Sequence, residues 1–170
     1  MRRRAILGAG LALGGCGFSP LYAPTATGTA GPVAQEMTAI RVGPIPERQG
    51  MLLRQALQAR LEREGSGGSK YDLTVLYSIS YEGIGYRRDD AISRQRMIAS
   101  ANWVLRDAGT SRAEITRGHA RAMDAYNILD NQFFASDLSG EAAQRRLADA
   151  IADQIQGQLG TFFAARARAS

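Results

Sequence analysis

At 170 residues the chain is long enough for one compact domain and too short for two of ordinary size. Its formal net charge of +5 comes largely from residues 1–15, which hold three arginines and no acidic residue; without these three, the 21 basic side chains fall to 18 against 16 acidic ones. Nucleic-acid-binding proteins usually show a larger and more clustered excess, so no nucleic-acid partner is expected.

The first 16 residues have the pattern of an exported lipoprotein. Residues 2–4 are arginines, residues 5–13 form an apolar stretch of nine, and Leu13-Gly14-Gly15-Cys16 follows. Spanning a bilayer takes about 20 apolar residues, so this stretch fits the apolar segment of a signal peptide instead. We therefore predict a signal peptide over residues 1–15 and a lipid on Cys16 that anchors the mature chain to a membrane.

Residues 16–36 are predicted to form the lipidated N-terminus and a flexible tether, because Thr, Gly, Ala and Pro dominate residues 23–32 without periodicity. Both the general export route and the twin-arginine route stay open, since the arginine pair at residues 3–4 loosely resembles a twin-arginine signal. Cys16 is the only cysteine, so the lipidated chain can form no internal disulfide. Gly17 stands where an aspartate would indicate retention in the inner membrane. The periplasmic side of the outer membrane is therefore the expected location.

The predicted domain, residues 37–165, opens with a strand and a helix. Residues 38–42 alternate between apolar and polar and end at a Gly-Pro pair, which indicates a short strand. Residues 47–64 have helical periodicity, with Gly65 as the natural stop. The apolar stripe of this helix is Leu53, Leu57 and Leu61.

Two strands of a long hairpin follow. Alternation runs over residues 73–81 and again over residues 97–105, so residues 83–93 must reverse the chain between them. The apolar positions are Leu73, Val75, Tyr77, Ile79, Tyr81, Met97, Ala99, Ala101, Trp103 and Leu105.

A third strand and a long helix complete the domain. Residues 107–110 turn the chain, and residues 114–125 form a strand with weak alternation. Residues 139–165 have helical periodicity with Ser139 as N-cap, and residues 166–170 are a tail. The apolar stripe of the helix is Ala143, Leu147, Ile151, Ile155, Leu159 and Phe162.

Two amphipathic helices need an apolar surface to cover, and the alternating strands offer one. The predicted fold is a single α+β domain with two amphipathic helices packed on one face of a four-stranded mixed sheet. Pattern alone does not place the first strand in that sheet.

The sequence Cys-Gly-Phe-Ser-Pro-Leu-Tyr at residues 16–22 and the element order over about residues 37–163 resemble alphaproteobacterial members of the LptE family of lipopolysaccharide-assembly lipoproteins. The resemblance implies that the domain plugs the outer-membrane β-barrel LptD and helps the barrel to assemble. It also implies contact with lipopolysaccharide on its way to the outer leaflet.

The same resemblance assigns candidate lipopolysaccharide contacts. The family's basic residue at the tip of the long hairpin corresponds to Arg87, with Arg88 beside it, and guanidinium groups suit bidentate contact with phosphate. Asp89 and Asp90 follow directly and can neutralise the pair locally. A lysine that the family uses before the last helix corresponds to about Ser136, so this chain lacks that basic group.

A plug in a polar barrel lumen needs a polar outer surface, and arginines on or beside the strands fit this need. An ordinary solvated sheet face explains each of them equally well. They are Arg94, Arg96, Arg106, Arg112, Arg117 and Arg121.

No enzymatic activity, metal site or cofactor is predicted. His119 is the only histidine and lies on the least regular strand, and Gly83-Ile84-Gly85 is not followed by the residues of a phosphate loop. Two other classes stay open. One is a lipid-anchored chaperone or pilotin for another outer-membrane complex, which a segment bound at a sheet edge would favour; the other is a lipid-anchored hydrolase, which needs a convergent acid, base and nucleophile.

Overall fold

The computed structural model describes residues 31–62, 68–129 and 132–169. The predicted signal peptide, Cys16, most of the tether and Gly65 lie outside the described residues. Seven elements follow in chain order, and the four strands form one sheet in the order β1-β2-β3-β4. The elements are α1 (Pro32–Thr38), β1 (Ile40–Val42), α2 (Glu47–Leu61), β2 (Tyr71–Tyr86), β3 (Ile92–Asp107), β4 (Glu114–Asn127) and α3 (Phe133–Ala169).

The predicted α+β fold with a mixed sheet is confirmed, and the structure places the first strand. β1 pairs with β2 in parallel, Ile40 opposite Tyr71, while β2, β3 and β4 form an antiparallel meander. A parallel pair needs a crossover connection, which α2 provides. β1 ends after three residues, directly before the Gly43-Pro44 pair.

The core lies between one face of the sheet and the helices. On the sheet side Leu73 is opposite Leu105 and Val75 is opposite Trp103, and all four side chains are buried. On the helix side both predicted stripes are at most 1% exposed up to Leu159, so the periodicity of α2 and α3 is confirmed there. At the end of the α3 stripe the prediction was wrong, because Phe163 is buried and the predicted Phe162 is only partly buried. The helix residues are Leu53, Leu57, Leu61, Leu147, Ile151, Ile155 and Leu159.

Ion pairs fix how α2 and α3 lie against each other. Arg48 Nη2 lies 2.7 Å from Glu141 Oε1, and Arg60 Nε lies 2.7 Å from Asp153 Oδ1. The two pairs have the same sequence separation of 93, so the helices run in the same direction. Exposed pairs contribute at most about 1 kcal/mol each, so they set alignment while the buried stripes supply stability.

Both boundaries of the last helix differ from the sequence prediction, and α2 ends at Leu61 where the prediction ran to residue 64. The last helix begins at Phe133, and Ser139 is therefore not its N-cap: the Ser139 hydroxyl donates to the Ala135 carbonyl inside the helix, at 2.7 Å. The first turns were missed because their phenylalanines, Phe133 and Phe134, are exposed and break the apolar stripe. The same helix also takes in residues 166–169, which were predicted to be tail.

The structure also contains a helix that was not predicted. This helix, α1, occupies residues 32–36 of the predicted tether and continues to Thr38. Pro32 begins the helix, Met37 is buried, and Glu36 accepts hydrogen bonds from Lys70 Nζ at 3.1 Å and from the Tyr71 hydroxyl at 2.6 Å. Seven residues are too few to show a helical stripe, so these contacts and not periodicity account for the helix.

The free edge of β4 is covered by two glutamines on successive turns of α3. Gln154 Nε2 donates to the Arg121 carbonyl at 3.0 Å, and Gln154 Oε1 accepts from the Arg121 N–H at 3.1 Å. Gln158 Nε2 donates to the His119 carbonyl at 2.9 Å, and Gln158 Oε1 accepts from the Trp103 indole at 3.0 Å. These amides take the place of a neighbouring strand along this part of the edge.

Gly118 leaves room for the Trp103 ring, since a Cβ at Gly118 would lie 2.4 Å from Trp103 Cζ2. We predict that Gly118→Ala lowers the free energy of unfolding by about 1–3 kcal/mol, because a buried ring must move. The control is Gly157→Ala on α3, where an added Cβ meets nothing within 4 Å and should raise stability by about 0.5–1 kcal/mol. Urea unfolding of the three proteins measures both effects. Equal stability of the Gly118→Ala variant and the parent would contradict this packing.

Candidate functional site

The hairpin of β2 and β3 extends beyond the helices that cover its base. Each strand has 16 residues, or about 50 Å at the usual rise per residue. Along the core-facing positions of β2, Val75 is buried, Tyr77 and Ile79 are half-buried, and Tyr81 is 45% exposed. The distal part of the hairpin therefore projects into solvent.

The hairpin reverses direction in a tight turn over residues 87–91. The Asp90 N–H donates to the Arg87 carbonyl at 3.1 Å, and the Arg87 N–H donates to the Ala91 carbonyl at 2.9 Å. Asp90 adopts the left-handed conformation with φ of 60°. This is the three-residue hairpin loop, a type I turn followed by a left-handed residue. Arg88 and Asp89 consequently occupy the outermost positions.

The charges at the turn are only partly balanced. Asp89 Oδ1 accepts from the Ala91 N–H at 3.3 Å and lies 3.5 Å from Arg87 Nε. The bond from the Ala91 N–H, aided by the Arg87 charge, holds the pKa of Asp89 below its usual value. Arg88 next to this pair is exposed. Asp89 therefore balances the charge of Arg87, as predicted for the pair, whereas the guanidinium of Arg88 is exposed at the tip.

Exposed apolar side chains lie at the same end of the molecule, and the sequence analysis missed them as a group. The Ile128 N–H donates to the Ser93 carbonyl at 2.9 Å, which holds the start of α3 beside the hairpin. Phe133 and Phe134 at this start are 78% and 88% exposed. We call Arg87, Arg88 and these apolar residues the tip surface. Its apolar members are Ile84, Tyr86, Ile92, Leu129, Phe133, Phe134 and Leu138.

The sheet face opposite the helices carries most of the predicted strand arginines. Arg96 and Arg121 are exposed there, and Arg96 Nη1 lies 3.5 Å from Glu82 Oε2. Arg112 instead lies in the turn after β3, with φ of 44°. We call this helix-free surface the open face. Its arginines are Arg94, Arg96, Arg106, Arg117 and Arg121.

His119 lies exposed on the open face. Over residues 31–62, 68–129 and 132–169, no three His, Cys, Asp or Glu side chains are grouped so that they could hold a metal ion. Within those same ranges no helix is both long enough and apolar enough to cross a membrane.

Comparison with known proteins identifies the family. A family model described as LptE, lipopolysaccharide-assembly, matches residues 37–159, which is most of the chain. The chain belongs to the LptE family. No curated protein matches it in sequence.

Solved structures with the LptE-like fold include a protein from Caulobacter crescentus described as a lipoprotein. It is 25% identical, the match covers 78% of this chain and 96% of that one, and the TM-score is 0.62. Rare lipoprotein B from Shewanella oneidensis is 11% identical over 72% of this chain and 92% of that one, with a TM-score of 0.53. Lipoprotein B from Nitrosomonas europaea is 17% identical over 74% and 83% of the two chains, with a TM-score of 0.55.

Ser136, at the position where the LptE resemblance implies a lysine, has a structural role in this chain. It is 8% exposed, and its Oγ accepts a hydrogen bond from the Leu129 N–H at 2.9 Å. This bond joins the end of β4 to the first turn of α3 across residues 130–131. Ser136 therefore has no exposed side chain with which to contact a ligand, and the basic groups of the tip surface are Arg87 and Arg88.

The turn geometry makes a prediction about Asp90. Replacing it with glycine should raise the free energy of unfolding by about 0.5 kcal/mol, because glycine adopts a positive φ without steric cost. Asp89→Gly, one residue earlier, should lower stability, since it removes the acceptor for the Ala91 N–H. Thermal unfolding distinguishes the two variants. A lower melting temperature for Asp90→Gly than for the parent would contradict the described turn.

Proposed function

We propose that this LptE-family protein is an outer-membrane lipoprotein that plugs the LptD β-barrel, helps it to assemble, and contacts lipopolysaccharide during transport to the outer leaflet. The match of the family model to residues 37–159 carries the proposal. The chain is proposed to lose residues 1–15 and to be anchored by a lipid on Cys16 at the periplasmic side. The role is one of binding and assembly, not of catalysis.

The two faces of the sheet support a plug. The helix-covered face carries the buried core of the domain. The open face presents guanidinium, hydroxyl and amide groups, among them Arg121, Ser78 and Asn102. Such groups can pair with the polar side chains that line the interior of an outer-membrane barrel.

The tip surface supports lipopolysaccharide contact. Lipid A combines phosphates with acyl chains, and the tip surface combines two arginines with exposed phenylalanine, leucine, isoleucine and tyrosine side chains. Arg88 is at the outermost position of the turn, where a phosphate can approach both guanidinium nitrogens. The apolar side chains of the tip surface lie at the adjoining strand ends and in the first turns of α3. They can therefore contact the acyl chains of lipid A.

We predict that the double variant Arg87→Glu and Arg88→Glu binds lipopolysaccharide at least about tenfold more weakly, because charge-assisted hydrogen bonds are worth about 1.5–3 kcal/mol. The measurement is titration of immobilised mature lipoprotein with purified lipopolysaccharide. Lipid A without phosphates should bind parent and variant alike.

The matched control reverses two exposed arginines at the opposite end of the molecule, Arg112→Glu and Arg168→Glu, and so changes the net charge equally. This control should retain parental affinity. An equal loss in both double variants would mean that net charge and not the hairpin tip governs binding. Parental affinity in the Arg87 and Arg88 variant would refute the assigned contact.

A further inference from the structure

The two arginines of the hairpin turn differ in their surroundings. The side chain of Arg87 is 31% exposed, its Nε is buried, and this atom lies 3.5 Å from Asp89 Oδ1. Arg88 is exposed, and among the residues that the structure describes no carboxylate lies within ion-pair distance of it. Arg88 can therefore take up an anion without breaking a contact inside the protein.

An open depression at the tip brings both arginines together with one aromatic ring. Tyr86, Arg87, Arg88 and Asp89 line it, and Tyr86 is 64% exposed. Asp89 is ionised near neutral pH, because the hydrogen bond from the Ala91 N–H holds its pKa below the usual value. Two guanidinium groups and one carboxylate give the depression a net charge of +1, so one anionic group balances it.

The residue after the depression acts against a second anionic group. Asp90 is exposed, and in the described part of the chain no cation lies within ion-pair distance of its carboxylate. Residues 87–90 hold two arginines and two aspartates, so the turn as a whole has no net charge. A second negative charge beside the first would therefore meet a carboxylate, and like charges repel.

The apolar side chains of the hairpin end lie on the helix-covered side of the sheet. Gly83 pairs with Gln95, and Gln95 Oε1 accepts from the hydroxyl of Tyr126, whose ring adjoins α3. A Cβ at Gly83 would lie 3.1 Å from both Tyr86 Oη and Ile92 Cδ1, so these two side chains extend over the same side. Acyl chains that contact them would lie there too.

The other basic residues near the hairpin lie on the opposite face or are already paired. Arg94 precedes Gln95 in β3 and therefore projects from the open face. On the helix-covered side Arg146 Nε lies 2.7 Å from Asp124 Oδ2, and Ser136 is buried where the LptE resemblance implies a lysine. Within the described residues, Arg88 is thus the unpaired cation that adjoins the apolar part of the tip surface.

We infer that the tip surface recognises lipid A through a single phosphate, which Arg88 binds, while the apolar side chains contact the acyl chains. Arg87 and Asp89 shape the turn and do not bind the phosphate. This role of Arg88 rests on the proposed function, since it concerns the lipopolysaccharide contact named there. A lipid A with one phosphate is therefore expected to bind as tightly as a lipid A with two.

The test compares two lipids that differ by one phosphate. Immobilised mature lipoprotein is titrated with monophosphoryl and with bisphosphoryl lipid A of the same acyl composition, in the same mild detergent. The parent should bind both with affinities that agree within about twofold. Arg88→Gln should bind both about tenfold more weakly, because a charge-assisted hydrogen bond is lost.

The matched control removes the other two charges of the depression. Arg87→Gln combined with Asp89→Asn leaves the net charge unchanged and keeps a side-chain oxygen that can accept from the Ala91 N–H. This double variant should bind both lipids with parental affinity.

Three outcomes would contradict these assignments. Binding of bisphosphoryl lipid A to the parent about tenfold more tightly than monophosphoryl lipid A would overturn the single-phosphate site. An equal loss of affinity in Arg88→Gln and in the control double variant would overturn the separate roles of the two arginines. Both results would leave the proposed function standing, whereas a parent protein that binds neither lipid would contradict the proposed lipopolysaccharide contact and the single-phosphate site together.

Discussion

The alternation of apolar and polar residues along β2 and β3 determines which side chains form the core and which stay exposed. It separates the sheet into a face that buries leucine, valine, methionine and tryptophan under α2 and α3, and an open face that is mostly arginine, serine and asparagine, with exposed Leu76 among its apolar exceptions. A shift of one residue in the pairing of these strands would exchange the two faces. The register that pairs Val75 with Trp103 and Leu73 with Leu105 therefore determines which residues are buried in the core and which lie on the polar surface.

The sequence predicted most elements because their periodicities are clean and their apolar positions are buried. The leucine stripe of α2 and the alternation of Met97 to Leu105 are examples in which burial follows the pattern. The prediction failed where an apolar stripe is absent or interrupted. α1 depends on the partners of Glu36 far along the chain, and the start of α3 carries exposed phenylalanines that interrupt its stripe.

The candidate site was predicted only in part for a related reason. Arg87 and Arg88 were found because a family resemblance placed a basic residue at a hairpin tip, and the structure puts Arg88 at the outermost position. The apolar half of the tip surface comes from two segments that are distant in sequence. The Phe133-Phe134 pair was the available signal, but its position beside the hairpin depends on the Ile128 to Ser93 hydrogen bond, which no pattern reveals.

The proposal that this LptE-family chain works inside an outer-membrane barrel can be tested by purifying the mature lipoprotein from its native outer membrane in mild detergent. The quantity to measure is the stoichiometry of the proteins that stay bound. We expect one large β-barrel protein, LptD, in equimolar amount. Recovery with a secretion or pilus component instead, or without any barrel, would mean that the chain does not act as a barrel plug.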